Sequence, residues 1–285
     1  MRIFVTGGAG FIGSNLIARL ISDGHDVVSI DNYITGNVAN EVPGCQYINA
    51  DIRTDMGTCG RPPAVIFHLA ALARIRPSFA RPSETFSANV IGTEAVLEYA
   101  RLVGAKVVYA GSSSRWHAFH NSPYATSKYL GEEMCKMYRR ALVLQVHIAR
   151  FYNVYGPNEI MCGDYATVIG IWRQQIRDGL VISIIGDGEQ RRDFTHVNDI
   201  VDGLVRIMET EHIQDDAWEL GTGTNYSINE MFQMFCERFA GLEAVHLPDQ
   251  PGNYRVTLRE HSDAISKLGW APVDQLRAYI NGLIL

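Results

Sequence analysis

The sequence predicts an α/β fold with a doubly wound parallel sheet, and two observations support that prediction. Short apolar runs rich in β-branched residues alternate with segments of helical apolar spacing over about the first 150 residues. A glycine-rich turn follows the first of these runs directly and opens the first helical segment. Because parallel strands need a crossover connection, usually a helix, the alternation indicates strands that pair in parallel.

The first strand–helix–strand unit is the clearest part of this pattern. Arg2–Thr6 is apolar and β-branched, and Phe11–Ser22 has apolar residues at helical spacing. Gly24 is placed to end that helix, and residues 26–30 form a second strand that ends at Asp31. Ligands of such sheets bind at the carboxyl ends of the strands, so residues at those ends are the first candidates for a site.

The alternation continues and then loosens after a Gly-Pro pair at residues 156 and 157. We predict further strands at residues 46–50, 64–69, 105–110 and 142–150, and helices at 83–103 and 124–140. Later segments predict helices near residues 165–178, 197–211 and 228–239 and a strand at 181–185. We therefore expect one domain over residues 1–155 and a smaller C-terminal domain over residues 156–285, some of whose segments return to the first.

The composition excludes several classes of protein. The 285 residues carry a net charge of −6 without a run of Lys or Arg, so the chain lacks the electrostatic footprint of a nucleic-acid-binding protein. Its five cysteines are widely spaced with no C-x-x-C pair, which predicts neither a disulfide framework nor a metal site. No apolar run approaches the ~20 residues of a membrane span. We expect a soluble, cytoplasmic protein that binds no membrane.

Residues 6–13, with the sequence TGGAGFIG, join the first predicted strand to the first predicted helix. A pyrophosphate needs backbone N–H groups close to it, and a Cβ atom at Gly7 or Gly10 would obstruct that approach. The helix N-terminus adds a partial positive charge, and Gly13 lets the helix lie close to the strand. We therefore predict that this turn binds a dinucleotide. Its predicted contacts are Gly7, Gly10, Phe11, Ile12 and Gly13.

An acidic residue at the end of the second strand favours NAD over NADP. Asp31 lies eighteen residues after Gly13, where its carboxylate can accept both hydroxyls of the adenosine ribose and would repel a 2′-phosphate. The four residues that follow it contain no arginine to bind such a phosphate. Residues 1–155 are thus predicted to be an NAD-binding domain. Further predicted contacts with the cofactor are Asn32, Asp51, Ile52, Leu69, Ala70 and Ala71.

Tyr124 and Lys128 lie four residues apart at the start of a predicted helix and therefore share a face. A free tyrosine has a pKa of about 10, and a nearby ammonium favours the phenolate and lowers that pKa. A phenolate can take the proton of an alcohol while NAD⁺ oxidises its carbon. The serine run at residues 112–114 ends a predicted strand and supplies a hydroxyl to hold the substrate oxygen.

Taken in order, these motifs resemble the extended short-chain dehydrogenase/reductases, whose first domain is a Rossmann fold. Residues 150–157 (RFYNVYGP) are similar to the R-x-x-N-x-Y-G-P motif of the NAD-dependent nucleotide-sugar epimerases and dehydratases. Residues 186–194 (GDGEQRRDF) are similar to the G-D-G-x-x-x-R-D-F motif of that family. Residues 251–255 and 266–270 resemble its C-terminal signature. The resemblance spans nearly the whole chain and is strongest to the UDP-hexose 4-epimerases.

The resemblance implies a role for each candidate residue. Tyr124 is the catalytic base, Lys128 orients the ribose and tunes Tyr124, and Ser112 is the hydroxyl partner, with Ser113 as the alternative. Asn89 matches an asparagine on the cofactor side. The residues that match positions holding the nucleotide diphosphate are Asn153, Arg192 and Arg255. Two guanidinium groups can clamp a pyrophosphate, which makes the C-terminal domain the substrate-binding domain.

The residues after Ser112 favour one reaction of the family. Dehydratases of the family have an Asp-Glu pair there, and decarboxylases have a Glu at the second position, whereas this chain has Ser113 and Ser114. We therefore expect NAD-dependent epimerisation at C4 of a UDP-hexose, UDP-glucose or UDP-galactose or their N-acetyl forms, through a transient 4-keto sugar. The alternatives are a nucleotide-sugar 4,6-dehydratase, a decarboxylase, a keto-sugar reductase and a non-catalytic NAD-binding protein.

The chain departs from the family in its sugar pocket. Tyr124 follows Ser112 by only twelve positions, where the family has a longer loop, so a wall of the pocket is missing. His117 and His120 lie within that short loop but have no evident third metal ligand. Thr257 matches the position that gates N-acetylated sugars and is small. The predicted helices 83–103 and 124–140 resemble the helix pair that forms the homodimer interface of the family.

Overall fold

A seven-stranded sheet, parallel throughout, organises the computed structural model, which describes residues 1–284 apart from the side chain of Thr58. The strand order is β10-β6-β5-β4-β1-β2-β3. The strands are β1 Arg2–Thr6, β2 Asp26–Asp31, β3 Gln46–Asn49, β4 Val65–His68, β5 Lys106–Ser112, β6 Val146–Phe151, β7 Asn153–Tyr155, β8 Ile182–Ile185, β9 Arg191–His196, β10 Trp218–Leu220, β11 Asn225–Ser227 and β12 Ala244–Leu247. The predicted doubly wound parallel sheet is confirmed.

Helices cover both faces of this sheet. They are α1 Phe11–Ser22, α2 Ile75–Ala80, α3 Pro82–Phe86, α4 Gly92–Val103, α5 Pro123–Ala141, α6 Val168–Arg177, α7 Val197–Glu209, α8 Ile228–Arg238, α9 Asp263–Leu268 and α10 Leu276–Asn281. One apolar core lies between the sheet and α1 and α7, and another lies between the sheet and α4 and α5. Among the described residues, no helix is long and apolar enough to cross a bilayer.

Residues after 155 contribute to the main sheet and also build a core of their own. β10 pairs with β6 at the edge of the large sheet, and α7 packs on that sheet. A separate apolar cluster holds α6, α8 and α10 against two small sheets, ordered β11-β9-β7 and β12-β8. The division of the chain at residue 155 into two domains stays a prediction.

Two predicted elements differ from the structure in an informative way. The strand predicted from residue 142 starts at Val146, because the backbone N–H groups of Leu142 and Leu144 still donate to the Tyr138 carbonyl at the end of α5. The helix predicted over residues 83–103 is continuous but contains a π-helical turn, Ser87–Ile91, between α3 and α4. Such a turn changes the direction of side chains within a helix.

His68 ends β4 and is buried as a neutral imidazole. Its Nδ1 and the Thr6 hydroxyl are 2.8 Å apart, and its Nε2 lies 3.0 Å from the Thr93 hydroxyl, which itself donates to the Asn89 carbonyl. Thr93 must therefore accept from Nε2–H, and Nδ1 accepts from Thr6. Burial lowers the pKa of His68 to about 3, because the charged imidazole is desolvated, and the Lys128 ammonium acts in the same direction.

We expect His68 to make the fold sensitive to acid. The unfolded chain takes up this proton at its ordinary pKa of about 6.5, so the free energy of unfolding should fall by up to about 1.4 kcal/mol per pH unit from pH ~6.5 down to ~3. His68→Gln should shallow that slope in urea titrations at several pH values. His120→Gln, an exposed control, should leave it unchanged. Equal slopes for wild type and His68→Gln would contradict this assignment.

Candidate active site

Two cavities meet at the carboxyl ends of the strands. The first cavity runs over the turns after β1, β2 and β4, and the second lies between the sheet and the C-terminal segments. Seven residues line both: Phe11, Ile12, Ala73, Arg74, Gly111, Tyr124 and Phe151. The predicted cofactor residues that line the first cavity are Gly7, Gly10, Phe11, Ile12, Gly13, Asp31, Asn32, Asp51, Ile52, Leu69, Ala70, Ala71, Tyr124 and Lys128.

The glycines of the first turn are required by close backbone contacts. A Cβ atom at Gly13 would lie 2.2 Å from the Gly7 carbonyl oxygen, and one at Gly7 would lie 2.8 Å from the backbone nitrogen of Ala70. Gly7 also has a φ of +75°, which L side chains rarely adopt. Gly10 is the N-cap of α1 and has no side-chain cap, so the first N–H groups of the helix are available to a ligand.

Acidic residues line the far end of the first cavity. One carboxylate oxygen of Asp31 accepts from the Ala9 N–H at 2.9 Å and the other from the Tyr33 N–H at 2.8 Å. Each oxygen retains a lone pair for a ribose hydroxyl. Asp51 is held by the Arg53 guanidinium, which lowers the pKa of Asp51 to about 2. Arg53, which also lines this cavity, is therefore already paired with a carboxylate.

Asn89 does not line the first cavity, although it was predicted on the cofactor side. The π-helical turn directs its side chain inward, where it accepts from the Leu72 N–H at 2.8 Å and donates to the Leu72 carbonyl at 3.1 Å. It also donates to the Ser127 hydroxyl at 3.0 Å. In this structure Asn89 therefore holds the loop after β4 against α5 and does not face the first cavity.

The structure brings Ser112 and Tyr124 together where the two cavities meet. The Tyr124 hydroxyl donates to Ser112 Oγ at 3.4 Å, and the backbone N–H of Ser114 donates to the same oxygen at 3.2 Å. Ser113 lines the second cavity, but the contact with Tyr124 belongs to Ser112. Tyr124 lies in the first turn of α5, because Ser122 caps that helix and Pro123 is its first residue.

The electrostatics of Tyr124 and Lys128 differ from the sequence-based expectation. Burial raises the pKa of Tyr124, and the Ser112 hydroxyl and the Arg74 guanidinium act in the opposite direction. Burial lowers the pKa of Lys128 to about 8, partly offset by Glu132. Its ammonium lies 4.3 Å from the centre of the Tyr109 ring. The positive charge that favours the Tyr124 phenolate in this structure is therefore that of Arg74, whereas the Glu132 carboxylate raises the pKa of Tyr124 together with burial.

Sequence reasoning missed three charged residues near Tyr124. Glu132 is fully buried, accepts from the Ser112 N–H at 3.2 Å and forms an ion pair with the equally buried Arg150 at 2.7 Å. Arg74 lines both cavities and donates to the carbonyls of Ala73 and Ala166, with no ion pair to a described carboxylate. The sequence could have indicated Glu132, because it lies four residues after Lys128 and therefore shares the helical face of Tyr124 and Lys128.

The predicted diphosphate residues are only partly brought together. Asn153 and Arg192 line the second cavity, and Arg192 donates to Asn253 at 2.6 Å. Burial lowers the pKa of Arg192 to about 10, and no carboxylate of the described chain pairs with it. Arg255 lies outside this cavity, where its guanidinium pairs with Asp187 at 2.8 Å. Its exposed side chain pairs with a carboxylate 68 residues away in sequence instead of lining the cavity, which the sequence motif could not show.

The histidines of the short loop have separate environments. His117 stacks on Tyr254 with ring centroids 4.7 Å apart, whereas His120 lies edge-on to Phe119. Within residues 1–284, no group of three histidine, cysteine or acidic side chains could hold a metal ion.

Comparison with known proteins agrees with this geometry. Residues 3–221 match the NAD dependent epimerase/dehydratase family. The chain belongs to this family, which is part of the extended short-chain dehydrogenase/reductases. It is 35% identical to UDP-glucose 4-epimerase of Mycolicibacterium smegmatis, over 95% of this chain and 94% of that protein. It is 33% identical to a putative UDP-glucose 4-epimerase of Methanocaldococcus jannaschii, over 99% and 97% of the two chains.

A solved relative has the same fold. UDP-glucose 4-epimerase of Thermotoga maritima, whose structure contains UDP-glucose, superposes with a TM-score of 0.92 at 29% identity, over 99% of this chain and 96% of that one. As a member of the NAD dependent epimerase/dehydratase family, the protein described here uses NAD as its cofactor. The glycine turn, the free N–H groups of α1 and the carboxylate of Asp31 fit the pyrophosphate and the adenosine ribose of that cofactor.

We expect Gly13→Ala to weaken NAD binding. The new Cβ atom would overlap the Gly7 carbonyl and force the glycine turn away from α1, so the Kd for NAD should rise about tenfold or more. Isothermal titration of cofactor-free protein measures the Kd, and circular dichroism checks the fold. Gly57→Ala is the matched control, because a Cβ atom there meets nothing within 4 Å. An unchanged Kd for Gly13→Ala would rule out this cradle.

Proposed function

We propose that this protein interconverts the C4 epimers of a nucleotide-diphosphate hexose, with a UDP-hexose as the substrate. The observation that carries the proposal is the 3.4 Å contact between the Tyr124 and Ser112 hydroxyls, located where the first cavity opens into the second. Bound NAD supplies the acceptor and donor of the hydrogen at C4. A hexose in the second cavity would present its 4-hydroxyl to the two side chains.

Tyr124 moves the proton in this proposal. Its hydroxyl oxygen, as phenolate, takes the proton of the sugar 4-hydroxyl and returns it later, while Ser112 Oγ holds the sugar oxygen. Burial alone works against the phenolate, so neighbouring positive charge is needed. Arg74 contributes to that charge, as does oxidised NAD. Lys128 lines the first cavity, where its ammonium is available to the nicotinamide ribose.

Arg192 is the proposed anchor of the diphosphate. It is a partly buried cation that forms no ion pair with a carboxylate in the described structure, and such a charge is stabilised by an anionic ligand. Asn153 and Gln250 line the same cavity with neutral groups. A role for Arg255 at the diphosphate stays a prediction, since it would first have to leave Asp187.

The serines after Ser112 support epimerisation over the other reactions of the family. Ser113 and Ser114 occupy the places where water elimination or decarboxylation would need acidic side chains, and both line the second cavity. Two of the curated relatives reported above are named as UDP-glucose 4-epimerases. A 4,6-dehydratase, a decarboxylase or a keto-sugar reductase would differ in its products. A stable 4-keto sugar or released CO₂ in NMR spectra of incubated UDP-sugars would overturn the proposal.

We expect Tyr124→Phe to lower kcat for a UDP-hexose by about 10²- to 10⁴-fold, because proton transfer to the sugar oxygen is lost. A coupled assay or NMR of the sugar products measures this. Tyr129→Phe is the control on the same helix, where the tyrosine ring stacks on Phe119 and lies outside both cavities. Near-normal turnover by Tyr124→Phe, or none by the wild type with NAD present, would disprove the catalytic role.

We also propose that the chain forms a homodimer through α4 and α5. Ile91, the last residue of the π-helical turn before α4, and Leu102 of α4 are exposed and eleven residues apart, and Leu130 and Met137 of α5 are exposed and seven apart. Both spacings place the two residues on one helical face. Packing these faces against a second copy would remove four large apolar side chains from water.

We expect light scattering of the wild type to give twice the chain mass, and Leu102→Lys combined with Met137→Lys to give the mass of one chain. In a dimer the two lysines would be buried as unpaired charges in the apolar interface, which is unfavourable and should separate the copies. Val245→Lys, an exposed apolar position on β12, should leave the mass unchanged. A wild type that runs as a monomer would refute this interface.

A further inference from the structure

The short loop leaves one wall of the second cavity to be built from elsewhere. Between Ser112 and Tyr124 the chain makes only two short 3₁₀ turns, Ser113–Trp116 and Phe119–Asn121. The C-terminal segment at residues 250–254 packs into the space beside them. A Cβ atom at Gly252 would lie 2.9 Å from Ile75, which shows how closely this segment approaches α2.

We propose that Tyr254 and Ser114 together bind a hydroxyl group of the hexose, so that Tyr254 from the C-terminal segment completes a sugar-recognising wall to which the short loop contributes only Ser114. This inference rests on the proposed function, since it assumes a nucleotide hexose in the second cavity. It adds a specificity residue from the C-terminal part of the chain.

Two buried hydroxyl groups without partners carry the inference. Ser114 is 2% exposed, and its Oγ atom has no hydrogen-bond partner among residues 1–284. The Tyr254 hydroxyl is also buried and makes no hydrogen bond of good geometry in the described structure, although the hydroxyls of Ser114 and Ser122 lie close to it. Both residues line the second cavity together with Tyr124. Buried polar groups are normally satisfied, so two unsatisfied hydroxyls on one cavity wall indicate a polar ligand.

Tyr254 is held in place by a stacking contact of its ring and by the hydrogen bonds of the residue before it. His117 of the short loop stacks on it at 4.7 Å with an interplanar angle of 26°. The neighbouring Asn253 accepts from Arg192 at 2.6 Å and donates to Asp249 at 2.9 Å. The wall is therefore joined both to the shortened loop and to the proposed diphosphate anchor, which orients the hydroxyl before a ligand arrives.

The chemistry of the wall fits a sugar hydroxyl better than a charged group. Burial raises the pKa of Tyr254 to about 12, so its hydroxyl stays protonated and donates. Burial and the nearby Arg192 lower the pKa of His117, which keeps that ring neutral at pH 7. A sugar hydroxyl both donates and accepts, and can therefore satisfy the tyrosine and serine hydroxyls at once.

Tyr254→Phe tests the inference, because it removes one oxygen and keeps the ring that stacks on His117. We expect KM for the UDP-hexose to rise about tenfold with little change in kcat, since the contact is made equally in the bound substrate and the transition state. Ser114→Ala should have a similar effect. Tyr99→Phe, a tyrosine on α4 that lines neither cavity, should change nothing.

Single-deoxy UDP-hexoses identify the hydroxyl and separate this inference from the proposed function. One analogue, lacking the hydroxyl that Tyr254 binds, should show less than a twofold difference in Kd between wild type and Tyr254→Phe by calorimetry. The other analogues should keep the tenfold difference. Equal losses with every analogue, or no loss at all, would overturn the inference. Calorimetric Kd values measure the contact with Tyr254 even if the wild type turns over no UDP-hexose. Absence of turnover would disprove only the proposed reaction.

His117 is a positioning residue in this scheme. His117→Phe keeps an aromatic ring on Tyr254 and should preserve KM, whereas His117→Ala should raise KM as Tyr254→Phe does. Similar KM values for His117→Ala and His117→Phe would show that the stacking does not position Tyr254 and would contradict this part of the inference.

Discussion

A buried ion pair between Arg150 and Glu132 holds the proposed site together. Both side chains are essentially inaccessible to water, and Arg150 also pairs with Asp216 and Glu219 next to β10. Glu132 in turn accepts from the N–H of Ser112. This network joins α5, β6, the edge strand β10 and the end of β5. Removing Arg150 would leave Glu132 buried with only the more distant Arg115 guanidinium, at 3.7 Å, and breaking a buried ion pair typically costs about 3–5 kcal/mol.

The network also explains why the reactive groups can sit in an otherwise apolar environment. Tyr124, Lys128 and Glu132 lie on one face of α5, so the ion pair at the third position sets the rotation of the helix at the first two. The same face brings Tyr124 to Ser112 and Lys128 to the first cavity. Burial then shifts the pKa of Tyr124 upward and that of Lys128 downward, which makes the added charges of Arg74 and NAD important.

Local sequence predicted much of the cofactor side. The order of strand, glycine turn, helix and Asp31 depends on contacts within about thirty residues, and such local patterns are readable from the chain alone. The spacing of Tyr124 and Lys128 was equally readable. Asn89 and Arg255 show the limit of this reasoning. A π-helical turn directs Asn89 to Leu72, and Asp187, far away in sequence, pairs with Arg255.

By itself the sequence determined the parallel sheet, the glycine turn after β1 and the shared helical face of Tyr124 and Lys128, because each follows from backbone sterics and periodicity over short segments. The tertiary structure decided which side chains share a cavity. It selected Ser112 over Ser113 as the neighbour of Tyr124, placed Arg74 between the two cavities, and brought Tyr254 across to His117. These contacts join residues from separate segments, and no local pattern encodes the packing of one segment on another.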